Sequence, residues 1–184
     1  MRIITGTLKG RRFPAPPNEA VRPTSDRAKE SLFSMLEARI DLNSCRILDL
    51  FAGSGNLGFE ALSRGAQSVL FVDFSAIAIE YIQDTANRFG VSSSISTLGM
   101  PVETYLQGTP TQFDVIFADP PYDLEGLANL PDALLDAGWL ATGGWMVLEH
   151  DKRHGFDGHP FCDTSRPYGR TIVSLFHPAI KHDV

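Results

Sequence analysis

The sequence predicts an α/β domain in which a mostly parallel sheet is covered by helices on both faces. Three observations carry this. Short, nearly continuous apolar runs recur between turn residues; segments with helical periodicity separate them; and from residue 46 onward the two alternate. Strand–helix alternation implies crossover connections, hence parallel strands buried on both sides. A chain of 184 residues suits one such domain and can bury a sizeable core.

Residues 1–13 read as a short hairpin, with Ile3, Ile4 and Thr5 as strand formers, turns at Gly6 and Gly10, and Phe13 closing the segment. Pro14, Pro16, Pro17 and Pro23 keep residues 14–24 extended. A helix follows, capped by Thr24 or Ser25, with Asp26 at its positive end and Leu32, Phe33 and Leu36 as its apolar stripe. Residues 46–50 form a buried strand, 56–64 a helix stopping near Gly65, and 68–72 a second strand. Helical spacing of Ile79, Ile82 and Ala86 marks residues 75–89, with Gly90 as the stop. Further strands are predicted at 95–98, 113–118, 145–149 and 171–176, with a helix at 127–138. Residues 1–24 are thus a basic appendage, and 25–184 the main domain.

Composition excludes several classes. With 43% hydrophobic and 21% charged residues the chain is neither disordered nor collagenous. Two cysteines make no disulfide framework and suit a reducing compartment. No apolar run approaches the roughly 18–20 residues that span a bilayer, and residues 1–13 lack a secretory signal, so a cytoplasmic protein without a membrane partner is expected. The net charge of −6 speaks against a nucleic-acid partner, but residues 1–30 carry seven Lys/Arg against three acids. The body is acidic and the head basic.

A G-x-G-x-x-G pattern occupies Gly53, Gly55 and Gly58, after a strand and at the start of a helix. Twenty residues past Gly53, Asp73 ends the second strand, where a carboxylate accepts hydrogen bonds from ribose hydroxyls. A dinucleotide and S-adenosylmethionine both meet these criteria. Asp49, beside the loop, repels a pyrophosphate and suits a ligand bearing an ammonium and a sulfonium. The candidate cofactor-binding residues are Asp49, Phe51, Ala52, Gly53, Ser54, Gly55 and Asp73.

The fourth strand runs into Asp119-Pro120-Pro121-Tyr122. Ligands in open α/β sheets bind outside the carboxyl ends of strands, at the point where strand order reverses, so both motifs face one crevice. Asp119 and the Pro120 carbonyl can each accept one N–H of an exocyclic base amine, the prolines stiffen that backbone, and Tyr122 can stack on the base. A base paired in a duplex would have to be unpaired or flipped out to enter. Asp119, Pro120, Pro121 and Tyr122 are the candidate catalytic residues.

In these motifs the chain resembles the RsmD family of class I methyltransferases, which methylate guanine N2 in small-subunit (16S) ribosomal RNA using S-adenosylmethionine. The matching segments are residues 2–13, 22–36, 48–66, 114–122 and 168–176; the first two are the more discriminating, because many methyltransferases share the glycine loop and DPPY. The resemblance implies a Rossmann-like, seven-stranded sheet with the last strand antiparallel and a small N-terminal β-hairpin extension. It implies an assembled 30S particle or an assembly intermediate as the substrate, and a monomer is expected. Where the family commonly carries an acidic or amide residue against the adenine, this chain reads Leu98-Gly99-Met100-Pro101-Val102, leaving that contact unassigned. Lys9, Arg11, Arg12, Arg22, Arg27 and Lys29 are the candidate RNA-binding cations. His150, His154, His159 and Cys162 lie near one another in sequence, but no motif fixes a ligand geometry, and no metal is expected. The rivals are an N6-adenine or protein glutamine methyltransferase, an NAD-dependent oxidoreductase that leaves DPPY idle, and a non-catalytic RNA-binding module.

Overall fold

The structure, a computed structural model, describes residues 1–14 and 26–178. The elements run α1 (Asp26–Glu37), β1 (Arg46–Leu50), α2 (Asn56–Ser63), β2 (Ser68–Asp73), α3 (Ala76–Phe89), β3 (Ile95–Gly99), α4 (Val102–Leu106), β4 (Phe113–Ala118), α5 (Leu130–Asp136), β5 (Leu140–His150), β6 (Cys162–Tyr168) and β7 (Thr171–Phe176). The strands form one seven-stranded sheet in the order β3-β2-β1-β4-β5-β7-β6. Only β7 runs against its neighbours. This is the mostly parallel sheet that the strand–helix alternation predicts, in the Rossmann-like, seven-stranded form that the family resemblance implies.

Period-two alternation in the strands divides the core. Ile47, Phe71, Phe117 and Val147 face α1, α2 and α3, whereas Leu48, Val72, Ile116 and Leu148 face α4 and α5. The chain leaves β1 to build β2 and β3 on one side, then returns to place β4 on the other. The crevice at that reversal lies between the carboxyl ends of β1 and β4. Among the described residues, no helix is long and apolar enough to cross a membrane.

Several elements differ from the sequence reading. The expected N-terminal hairpin is present but too short for regular strands: Arg2 bridges antiparallel to Arg12, the Ile3 amide donates to the Arg11 carbonyl (3.0 Å) and the Phe13 amide to the Met1 carbonyl (3.2 Å). It is held from outside: the Glu60 carboxylate accepts from the amides of Ile4 (2.8 Å) and Thr5 (3.0 Å), and Ser63 accepts from those of Thr7 and Leu8. Gly6 has φ +87, and a Cβ there would lie 1.7 Å from the Ser63 carbonyl oxygen, so only glycine lets the loop settle onto α2. Phe13 packs edge-on against Phe59 and Phe89. The boundary expected at residue 24, and the caps Thr24 and Ser25, lie outside the described residues.

The helix expected at 127–138 is a short 3₁₀ turn, Leu127–Asn129, followed by α5 with Pro131 in its first turn. Strand β5 begins five residues earlier than expected, at Leu140, and its register against β4 shifts between Phe113 and Val115 near the Gly143–Gly144 pair. Neither α4 nor β6 was anticipated. The polar run of β6, which includes Pro167, is tolerable because β6 is an edge strand.

Candidate active site

The first functional turn follows β1. Gly53 (φ +49) and Gly55 (φ +72, preceding α2) bend the chain sharply, and Phe51 also takes a positive φ of 56, uncommon for an aromatic residue. Asp73 ties this loop to the end of β2: its carboxylate accepts from the amides of Gly53 (2.7 Å) and Ser75 (2.8 Å). A carboxylate has about four acceptor sites, so two backbone donors leave capacity for a ligand. The third glycine serves packing. A Cβ on Gly58 would sit 2.3 Å from the Phe71 ring and 2.9 Å from the Asp49 carboxylate, which accepts from the Gly58 amide at 2.9 Å.

The second turn follows β4. Tyr122 is fixed at both ends: its hydroxyl shares a 2.6 Å hydrogen bond with Thr171, and its carbonyl accepts from Arg153 at 2.9 Å. Burial pushes the phenol up, with Asp119, Glu149 and Asp151 adding to the effect, so it stays neutral. Burial also lifts the Asp119 carboxyl to about 6. Asp49 is raised well above the usual range, first by desolvation and then by the charges of Asp119 and Asp73, against the opposing Gly58 amide.

Register places four acids along one end of the sheet. Leu50 pairs with Ala118, and Ala118 with Leu148, so Asp119 and Glu149 follow side by side on adjacent strands. With Asp73 and Asp49 they form an acidic floor to a cleft of about 1500 Å³. That exceeds the roughly 300–1,000 Å³ of a pocket for one small molecule and leaves room for a cofactor and a base together. The sequence-predicted residues Asp49, Phe51, Ala52, Gly53, Ser54, Asp73, Asp119, Pro120, Pro121 and Tyr122 line it; Gly55 does not. Sequence reasoning missed Phe74 and Glu149, besides the cleft cations described below. Phe74 is 75% exposed at the cleft wall beside Asp73, a flat apolar surface of the kind an adenine needs. Glu149 is the acid that ends the apolar run of β5, and that position was its only signal.

The expected RNA-binding cations separate. Lys29 is corrected outright: it is 1% exposed, donates to the Arg2 carbonyl (2.7 Å) and Asn56 (2.8 Å), and pairs with Glu60 at 3.2 Å. Its stripe position at the inner edge of α1 buries it. Glu60 also pairs with Arg64, so this network staples the N-terminal loop to α2. Arg11 donates to the Arg88 carbonyl and lies over Phe89, at the end of α3 remote from the cleft; the Gly6–Gly10 turn carrying Lys9 rests on Ser63, the corresponding end of α2. The length of α3, 14 residues or roughly 20 Å, lies between this end and the one that faces the carboxyl ends of the strands. Arg12 is exposed on the bridge with Arg2, and Arg22 lies outside the described residues. Arg27 lines the cleft, joined by Lys152, Arg153 and Arg170, none of which the sequence reading named.

Among the histidines, His150 is buried and spent internally, between the Asp151 carbonyl (3.0 Å) and the Ser174 hydroxyl (2.7 Å), and burial lowers its pKa.

Comparison with known proteins adds names to this geometry. The family described as "Conserved hypothetical protein 95" matches residues 1–177. YlbH of Bacillus subtilis is 37% identical over 182 residues, 96% of this chain and 98% of that one. "Ribosomal RNA small subunit methyltransferase D" of Haemophilus influenzae is 35% identical over 155 residues, covering 83% of this chain and 79% of its own. Among solved structures, a hypothetical protein of Thermus thermophilus superposes with a TM-score of 0.81 at 31% identity, covering 96% of this chain and 99% of that one.

Proposed function

The chain belongs to the RsmD family of S-adenosylmethionine-dependent methyltransferases, and on that premise we propose that it methylates the exocyclic N2 of a guanine in small-subunit (16S) ribosomal RNA. The observation that carries the reading is the meeting of the glycine loop, Asp73 and DPPY at one crevice. An oxidoreductase would leave DPPY without work.

The residues present fit the cofactor: an acidic floor for its cationic groups, Asp73 for its ribose and Phe74 for its adenine. When bound, S-adenosylmethionine supplies a methyl group on a sulfonium. Asp119 and the Pro120 carbonyl each accept one N–H of the guanine amine, turning its lone pair out of conjugation with the ring and toward that methyl group. Pro120 and Pro121 keep the carbonyl aimed. Tyr122, held by Thr171 and Arg153, is the platform on which the base stacks. Asp119 needs its carboxylate form to accept, and nearby positive charge from the cofactor favours that form. The protein acts as a cytoplasmic monomer on an assembled 30S particle or an assembly intermediate, with residues 1–24 as an appendage to one catalytic domain.

The test is methylation of unmodified small-subunit particles and of naked ribosomal RNA, followed by digestion to nucleosides. N2-methylguanosine is the expected product. N6-methyladenosine in its place, or methylation of protein only, would overturn the reading; RNA binding without turnover, unchanged by Asp119→Ala, would mark a non-catalytic binding module.

A further inference from the structure

The geometry points to the mouth of the cleft, and not the N-terminal turn, as the surface that grips the RNA backbone: Arg27, Lys152 and Arg170 form a phosphate-binding rim around the base pocket. This deepens the proposed function and rests on it.

The three cations come from separate parts of the chain. Arg27 stands in the first turn of α1, Lys152 follows β5, and Arg170 tips the β6–β7 turn. The fold brings all three to the same cleft. Each is exposed, and none has an ion pair among the described residues. The other cations of the chain's first thirty residues are mostly engaged or remote: Arg2 pairs with Asp26 at 2.7 Å, Lys29 is buried, and Arg11 leans on the far end of α3. Arg153 differs from its neighbour Lys152. Its guanidinium is already committed to Asp151 (2.6 Å) and to the Tyr122 carbonyl (2.9 Å), so it ties the rim to the base platform.

Opposed charges at two depths select for nucleic acid rather than an acidic protein. A polyanion entering the cleft bodily would meet the acids of the floor. A nucleotide turned inward does not, because its base edge offers N–H donors to the floor while its flanking phosphates remain outside at the rim. The spacing of charge therefore fits a single-stranded or flipped-out segment with its backbone held at the mouth.

Counterion release gives a quantitative test. For single strands the logarithmic salt slope of binding changes by about 0.7 for each phosphate contact, so removing three cations flattens it by roughly 2. The affinity of unmethylated small-subunit particles, and of the stripped RNA in parallel, would be measured at several potassium chloride concentrations with magnesium fixed. Wild type would be compared with R27A/K152A/R170A and with K9A/R11A. The rim variant should show the flattened slope and unchanged S-adenosylhomocysteine affinity, and K9A/R11A the wild-type slope. An unchanged slope in the rim variant, or a flattened one in K9A/R11A, overturns the proposal. A wild-type protein that binds with the expected slope but methylates no RNA would instead overturn the functional reading.

Discussion

The floor and the rim of the cleft are set by the same strand ends yet carry opposite charge and depend on different kinds of sequence information. Floor acids stand at fixed positions on β1, β2 and β5 and directly after β4, each at or beside the end of a buried run. Rim cations sit on turns and on a helix start, where neighbouring sequence says nothing about direction. The contrast teaches that a motif shows where chemistry is done, while the surface that delivers the substrate is assembled by topology.

The largest expected effect separates the two regions most sharply. Asp119→Ala should lower kcat by at least about 100-fold, the scale of a positioned proton-accepting group, with particle affinity unchanged in binding assays. A comparable loss of particle affinity would mean that floor and rim act as one surface. Next comes Lys29→Ala. Glu60 keeps Arg64 as a partner, but the Arg2 carbonyl and Asn56 lose their donor, so the loss should be about 1–3 kcal/mol; desolvation lowers the Lys29 pKa, against the attraction of Glu60. Urea unfolding would measure it, and a loss under about 1 kcal/mol would return Lys29 to the surface set.

The floor should also reveal itself through pH. Asp119 titrates near 6 in the free protein, above its unfolded value of 3.8. Only the carboxylate accepts both proton and hydrogen bond, so kcat/KM should climb about tenfold per unit below pH 6 and level off above it. Stability moves the other way. The folded state binds the extra proton between 3.8 and about 6, so the stabilisation is full below 3.8 and is lost as pH rises through 6. Asp119→Asn should remove both trends; an acid limb that persists at the same pH would assign it to another group.

A smaller effect tests the tie between the regions. Arg153→Ala removes a charged hydrogen bond to the Tyr122 carbonyl and should lower kcat about tenfold, leaving the salt slope of particle binding intact. A flattened slope would move Arg153 into the phosphate-binding set. Smallest of all, Lys9→Ala should change stability by less than about 0.5 kcal/mol by urea unfolding.

Most of the sheet was readable because its strands are apolar and its turns carry glycine or aspartate: β1, β2 and β4 lie where periodicity puts them. Strand β6 was not, since an edge strand buries too little to need an apolar run. The helix expected at 127–138 broke into two pieces around Pro131, which sets its own start. In the site, Asp49, Asp73 and Asp119 follow from spacing, whereas Glu149 and Phe74 needed the strand order to be recognised as neighbours of the motifs. Charge was the least legible property. Lys29 and Arg27 are two residues apart in sequence, but α1 turns one into the core and the other to the cleft.

The division of labour is tested most directly by single-turnover methyl transfer at increasing concentrations of unmethylated small-subunit particles, with wild type, Asp119→Ala and R27A/K152A/R170A side by side. The rim variant should reach the wild-type rate once particles saturate it, and Asp119→Ala should stay slow at every concentration. Rescue of Asp119→Ala by excess particles, or a rim variant that stays slow at saturation, would contradict the account.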